Sequence, residues 1–103
     1  MIIFISGPYS SDPLINTCKA IQAGEEVVKL GHTPYIPHLN LIWDMFNPHP
    51  KNFWCKLDLG ILYKCDGILR LPGESPGADQ EIFHAVLWQL KIFHRLEDIP
   101  NEG

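Results

Sequence analysis

Residues 2–14, IIFISGPYSSDPL, decide the fold class. Residues 2–5 are apolar without the polar alternation of a half-exposed strand, so they predict a strand buried on both faces of a sheet. After a turn, Asp12 and Pro13 predict a helix start, because an oxygen-bearing cap precedes a residue that lacks an N–H group. A buried strand that leads at once into a helix is typical of a parallel α/β sheet.

The same alternation continues along the chain. The first helix is predicted to end at Gly31, and Pro34 places the following strand at a sheet edge. Residues 38–52 are irregular in composition and predict a long functional or mobile loop. The chain is predicted to fray after residue 100. The remaining predicted elements are strands over residues 33–36, 68–71 and 92–93, and helices from residue 53 and over residues 78–90.

These elements predict an α/β fold in a single domain over residues 1–103, a doubly wound parallel sheet of the flavodoxin or Rossmann type. Right-handed crossovers favour the strand order 2-1-3-4. In such sheets ligands bind beyond the carboxyl ends of the strands, where the winding reverses. That point lies between the first and third strands, and the loops at residues 7–11 and 73–77 flank it.

Apolar periodicity predicts which helix faces meet the core. Gly24, inside the first helix, predicts a close packing neighbour at that point. The predicted core positions are Leu14, Cys18, Ile21, Val27, Val28 and Leu30 in the first helix, and Phe83, Val86, Leu87 and Leu90 in the last.

Composition excludes several classes of function. The chain of 103 residues has 12 acidic and 8 basic side chains, a net charge of −4, which argues against a nucleic-acid polymer or an anionic membrane as partner. No run approaches the ~18 apolar residues that span a bilayer. The first residues do not resemble a signal peptide. Three cysteines in no metal or redox motif predict reduced, mostly buried thiols in a cytoplasmic protein.

Two carboxylates are candidates for chemistry. Glu81 falls near the start of the last helix, where free N–H groups favour an anion; acidic residues also occur there for the helix dipole alone. Asp58 interrupts an apolar stripe, so it is either hydrogen-bonded structurally or faces a polar cleft. Two carboxylates that meet in one pocket are what glycosidic-bond chemistry requires.

The loop of Gly7, Pro8, Tyr9 and Ser10 offers amides and hydroxyls to an anionic or polyhydroxylated ligand, or is simply a turn with a helix cap. It matches neither the P-loop nor the dinucleotide fingerprint. Among the histidines, His38 is the strongest functional candidate, because it follows the second strand at the ligand side of the sheet. The histidine spacings predict no metal site, and no cofactor is predicted.

These residues, taken together, resemble a known family. The set consists of Gly7-Pro8-Tyr9 after a strand, His38, Asp58-Leu59, Cys65-Asp66-Gly67 and Ser75-x-Gly77-x-x-x-Glu81-x-x-x-Ala85. It resembles the nucleoside 2-deoxyribosyltransferase-like superfamily over nearly the whole chain. Within it the chain is most similar to a small branch of unassigned function, related to the deoxynucleoside 5′-monophosphate N-glycosidases.

The resemblance implies a function and residue roles. Glu81 matches the nucleophile that attacks C1′ of the sugar, and Asp58 matches the aspartate that assists proton transfer. Tyr9 and the Gly7 loop match the segment that lines the sugar or its 5′ end. The implied reaction is cleavage or exchange of the N-glycosidic bond of a (deoxy)nucleoside or its 5′-monophosphate. Ser75 resembles the serine of the relatives that hydrolyse deoxynucleoside 5′-monophosphates, where the transferases have an acidic residue. The resemblance therefore favours a monophosphate, to which a hydroxyl can donate.

The resemblance also implies a partner. The Gly7 loop has no arginine, and the additional carboxy-terminal segment of larger relatives is absent from the sequence. We therefore expect a homo-oligomer with sites at subunit contacts, residues 38–54 being a candidate contact. Two alternatives stay open: a non-catalytic module that senses nucleotides through the same pocket, and a small oligomerising domain without a ligand.

Overall fold

The first apolar run forms a central strand of a four-stranded parallel sheet. The computed structural model describes all 103 residues. The strand order is β2-β1-β3-β4, which confirms the predicted topology and the edge position of the second strand. The strands are β1 (Ile2–Ser6), β2 (Thr33–Tyr35), β3 (Gly67–Arg70) and β4 (Lys91–Phe93).

Four helices connect and cover the strands. The helices are α1 (Pro13–Lys29), α2 (Asn40–Phe46), α3 (Lys51–Leu62) and α4 (Pro76–Leu87), with short 3-10 turns at Pro37–Leu39 and Leu96–Asp98. The carboxylate of Asp12 accepts a hydrogen bond from the Ile15 N–H, and Pro13 opens α1, as the cap motif predicts. No helix combines the length and the apolar character that crossing a bilayer requires.

The two faces of the sheet carry separate cores. Alternate residues of β1 point in opposite directions, so Ile3 and Ile5 join the cluster under α1 while Phe4 joins the cluster under α3 and α4. β1 and β3 are in parallel register with Ser6 opposite Arg70. This register places the first polar residue of each strand at the same carboxyl edge of the sheet.

The core positions predicted for the first helix were right at Val27, which is buried, and at Leu30, which packs against the core, but wrong for the rest of the predicted face. Leu14, Cys18 and Val28 are exposed, whereas the buried face is made of Thr17, Ala20, Ala23, Gly24 and Val27. Small side chains allow the helix to lie close to the sheet. A Cβ atom added at Gly24 would lie 2.6 Å from Cδ1 of Ile36, which confirms the expected close neighbour.

Of the core positions predicted for the last helix, only Leu90 packs against the core, and it lies just after the end of α4. Phe83, Val86 and Leu87 are all more than 60% exposed, and the buried residues of this helix are Ala78 and Ala85. Ile82 packs against the same core cluster as Ala85, whereas Phe83, Val86 and Leu87 lie on the outer face of the helix.

Three further predictions need correction. Residues 38–52 are not one loop, because they include α2 and the start of α3. The chain does not fray after residue 100: Ile99 is buried, and the Glu102 N–H donates to the Leu30 carbonyl at 2.8 Å. Only Cys65 of the three free cysteines is buried. In each case a tertiary contact, or its absence, overrides the local pattern.

Candidate active site

The loops that follow β1 and β3 pack against each other above the edge of the sheet. Gly73 has a φ of +116°, and a Cβ atom there would lie 2.8 Å from Cγ of Pro8. A Cβ atom at Gly7 would lie 2.9 Å from Cβ of Leu71. Glycine is therefore required at both positions for the loops to approach this closely.

Beside these loops lies a cleft of about 1090 Å³, which we call the switch-point cleft. Its walls are the two loops, the turn after β2, and parts of all four helices. The structure brings all nine sequence-predicted site residues to this one cleft. They are Gly7, Pro8, Tyr9, Ser10, His38, Asp58, Ser75, Gly77 and Glu81.

Glu81 lies in the second turn of α4 and reaches back to β1. The hydroxyl of Ser6, a fully buried residue, donates to Glu81 Oε1 at 2.7 Å. Burial raises the pKa of Glu81 to about 7, although the Ser6 hydrogen bond and the positive charge of Arg70 favour the ionised form. Glu81 is therefore a carboxylate that can be protonated or ionised near neutral pH.

Asp58 faces the cleft from α3. The side-chain amide of Asn40, at the start of α2, donates to Asp58 Oδ1 at 3.2 Å. Burial and, second, the negative charge of Glu81 together raise the pKa of Asp58 to about 7, against the hydrogen bond from Asn40, which lowers it. The two carboxyl groups are thus close enough to interact electrostatically.

The electrostatics distinguish the two carboxyl groups. Both titrate near pH 7, so the pair holds about one proton at neutral pH. Ser6 and Arg70 favour the ionised form of Glu81, and the charge on Glu81 then favours the protonated form of Asp58. The arrangement can provide an anionic nucleophile beside a proton donor.

Arg70 organises the β3 loop. Its side chain is 12% exposed, and its guanidinium donates to Asp79 Oδ1 at 2.9 Å and to the Gly73 carbonyl at 3.0 Å. It also donates to the carbonyl of Leu71. Arg70 therefore holds the loop against the start of α4 while its charge acts on Glu81.

Three polar residues that act on the carboxyl pair were not predicted from the sequence: Ser6, Arg70 and Asn40. Ser6 and Arg70 end apolar strands at the carboxyl edge, which is a position from which sequence could have identified them. No local pattern identifies Asn40, because its hydrogen bond to Asp58 depends on how α2 packs against α3.

Ser75 and Gly77 open α4. The hydroxyl oxygen of Ser75 accepts a hydrogen bond from the Ala78 N–H at 3.1 Å, so Ser75 is the N-cap of the helix. Its hydroxyl hydrogen remains available to a ligand. No heavy atom lies within 4 Å of where a Cβ atom of Gly77 would be, so Gly77 leaves open space at this wall.

Two aromatic side chains, His49 and Trp54, line the cleft and pack against Phe53 and Trp43. The rings of His49 and Phe53 stack at 3.8 Å, and Trp43 and Trp54 meet edge to face at 5.1 Å. Asp44 accepts hydrogen bonds from the Trp54 indole at 2.8 Å and from the His49 N–H at 3.0 Å. These two bonds lower the pKa of Asp44.

No group of three or more His, Cys, Asp or Glu side chains lies together in a way that could hold a metal ion.

The chain is similar to a solved structure of an enzyme. That structure is the 2-deoxyribosyltransferase from the psychrotolerant bacterium Bacillus psychrosaccharolyticus. The superposition has a TM-score of 0.64 and 20% sequence identity, and covers 89% of this chain and 69% of the other. The two chains share a fold. No protein-family model and no curated protein matches the chain.

Proposed function

We propose that this protein cleaves or exchanges the N-glycosidic bond of a (deoxy)nucleoside or its 5′-monophosphate, with Glu81 as nucleophile. The observation that carries the proposal is the carboxyl pair: Glu81 and Asp58 face one cleft, and both have a pKa of about 7. The fold shared with a 2-deoxyribosyltransferase supports the same reaction class.

In the proposed first step, the Glu81 carboxylate forms a bond to C1′ of the sugar. The C1′–N bond breaks, its electron pair goes to the departing base, and the base takes the proton of Asp58. The product is a glycosyl ester of Glu81. The pKa of Asp58, about 7, suits a proton donor that works near neutral pH.

In the proposed second step, the Asp58 carboxylate takes a proton from the incoming nucleophile. Water that attacks C1′ releases Glu81 and gives the free sugar, so the enzyme is a hydrolase. The N–H of a second base that attacks C1′ gives a new nucleoside, so the enzyme is a transferase. The same pair of carboxyl groups serves both outcomes.

The cleft offers two cations to a 5′-phosphate. The Gly7 loop lacks arginine, but Lys19 of α1 and Lys51 of α3 line the cleft. A monophosphate would be neutralised by these side chains rather than by the loop itself. The surrounding hydroxyl and amide groups of Ser10, Ser11 and Asn16 also suit a polar sugar end.

Release of free base tests the proposal. The purified protein is incubated with a panel of nucleosides, deoxynucleosides and their 5′-monophosphates, with and without an acceptor base. We expect base release from at least one substrate, with loss of about 10³-fold or more in Glu81→Gln but full activity in the exposed control Glu25→Gln. Binding without turnover, unaffected by Glu81→Gln, would instead support a sensing module.

A further inference from the structure

Asp44 of α2 lines the switch-point cleft with one carboxylate oxygen fixed and the other free. Its Oδ1 atom accepts both hydrogen bonds that reach the side chain, from the Trp54 indole at 2.8 Å and from the His49 N–H at 3.0 Å. The other oxygen, Oδ2, accepts none. The two bonds to Oδ1 therefore hold the carboxylate in one orientation and leave an acceptor without a partner.

The free oxygen is accessible to a ligand. Among the residues that are not fully exposed, only one side-chain nitrogen or oxygen atom is sealed from solvent without a hydrogen bond, and that atom is Nδ1 of His38. Asp44 is half-buried. Its unpaired Oδ2 is therefore in contact with solvent, and a ligand can replace that solvent.

Several contacts place this carboxylate on the cleft side of α2. Asn40 lies four residues earlier, on the same face of the helix, and donates to Asp58 in the cleft at 3.2 Å. Burial and, second, the negative charge of Asp44 raise the pKa of Tyr9, which lines the cleft from the loop after β1. The carboxylate of Asp44 thus acts on a neighbouring wall of the same cleft.

The surroundings of Asp44 suit a nucleobase. His49 and Trp54 line the cleft beside it, and flat bases stack on aromatic rings. The hydrogen bonds from these two residues lower the pKa of Asp44, so the carboxylate is ionised at pH 7. An ionised carboxylate only accepts hydrogen bonds, so it attracts an amino group and repels a carbonyl oxygen.

The position of Asp44 relative to the carboxyl pair also suits a base. Asp44 lies one helical turn, ~5.4 Å along α2, from the Asn40 that donates to Asp58. This spacing is comparable with the width of a nucleobase. A base with its glycosidic bond at the carboxyl pair can therefore bring its far edge to Asp44.

We propose that Oδ2 of Asp44 accepts a hydrogen bond from the exocyclic amino group of the base, so that the cleft selects amino-bearing bases over bases with a carbonyl oxygen at that position. The inference rests on the proposed function, because it takes the ligand to be a nucleoside or its 5′-monophosphate. It names the chemical feature of the base by which the substrate is recognised.

Binding measured by calorimetry in a Glu81→Gln parent tests the selection without turnover. The purine ligands are 2′-deoxyadenosine, 2′-deoxyinosine and the deoxynucleoside with hydrogen in place of the amino group. The pyrimidine ligands are 2′-deoxycytidine and 2′-deoxyuridine, and each ligand is also used as its 5′-monophosphate. In whichever series binds, we expect the amino form to bind about tenfold or more tightly than its counterparts, as for a hydrogen bond to a charged group.

Asp44→Asn converts the acceptor into a donor in the same parent. Because Trp54 and His49 both donate to Oδ1, the amide oxygen takes that place and the amide nitrogen takes the place of Oδ2. The preference for the amino form should fall below about twofold or reverse, and Asp44→Ala should likewise lose it. Glu25→Gln, which removes a negative charge from an exposed position of α1, should keep the parent's preference.

The contrary results separate the two proposals. Equal binding of the amino and carbonyl forms by the parent would overturn the inference, and this comparison needs no variant at Asp44. A preference that persists in Asp44→Asn or Asp44→Ala would also overturn it. In these cases the parent binds nucleosides and the proposed function stands. If the parent binds no nucleoside or monophosphate, the proposed function fails and the inference fails with it.

Discussion

Replacing Glu81 with glutamine should stabilise the folded protein at alkaline pH. Burial raises the pKa of Glu81 from 4.5 to about 7, so the folded state holds a proton that the unfolded state has already released. At ~1.4 kcal/mol for each pKa unit, the ionised group costs the fold ~3 kcal/mol above pH 7. Below pH 4.5 both states are protonated and the cost vanishes. Glutamine never carries the charge and avoids the cost.

Urea denaturation from pH 4 to pH 8.5 measures this effect. The free energy of unfolding of the wild type should fall as pH rises from 4.5 through 7, and Glu81→Gln should reduce that fall by ~2–3 kcal/mol. Glu25→Gln, an exposed residue on α1, is the matched control and should follow the wild type. If Glu81→Gln and Glu25→Gln have the same pH dependence, Glu81 is not a destabilised buried carboxylate, and the reasoning is refuted.

Two further predictions test the contacts that hold Glu81 and the two loops in place. Ser6→Ala removes the hydrogen-bond donor to Glu81 Oε1 and should therefore raise the pKa of Glu81. The acidic limb of the pH profile of kcat/KM should then move to higher pH, with about tenfold loss of kcat/KM at pH 6. An acidic limb at the wild-type pH would contradict this role of Ser6. Gly73→Ala should cost about 1–3 kcal/mol of unfolding free energy in urea, because of its positive φ and the contact with Pro8. Gly77→Ala, with open space around it, should change stability by less than about 1 kcal/mol; equal costs at the two glycines would refute the loop contact.

The sheet could be predicted because each strand is identified by a pattern of neighbouring residues in the sequence. The apolar run of β1 and the turn after it identify a buried parallel strand, and the alternation with helices then fixes the order 2-1-3-4. The same logic locates the cleft, since ligands bind where the winding reverses. Glu81 and Asp58 follow from this placement and from the resemblance.

The helix faces could not be predicted from apolar periodicity. In α4 the buried residues are Ala78 and Ala85, with Ile82 beside them against the core, while Phe83 and Leu87 point outward. A hydrophobicity pattern ranks phenylalanine above alanine, but close packing of a helix on a sheet favours the small residue. The pattern therefore identifies the helix and chooses the wrong side of it.

The contacts that support the site residues could not be predicted from the sequence, for a different reason. Asn40 reaches Asp58 only because α2 folds back on α3, and the unpaired nitrogen of His38 exists only because the ring is buried against Pro8. Such contacts join residues that are distant in the sequence. They follow from the tertiary arrangement and from no local pattern.

A covalent adduct on Glu81 is the most direct test of the central claim. A nucleoside with fluorine at C2′ of its sugar slows the breakdown of a glycosyl ester, so the intermediate accumulates. Mass spectrometry of the incubated protein should show one added fluorosugar on the peptide that contains Glu81, and none in Glu81→Gln. Base release without an adduct, or an adduct on another residue, would contradict Glu81 as the nucleophile.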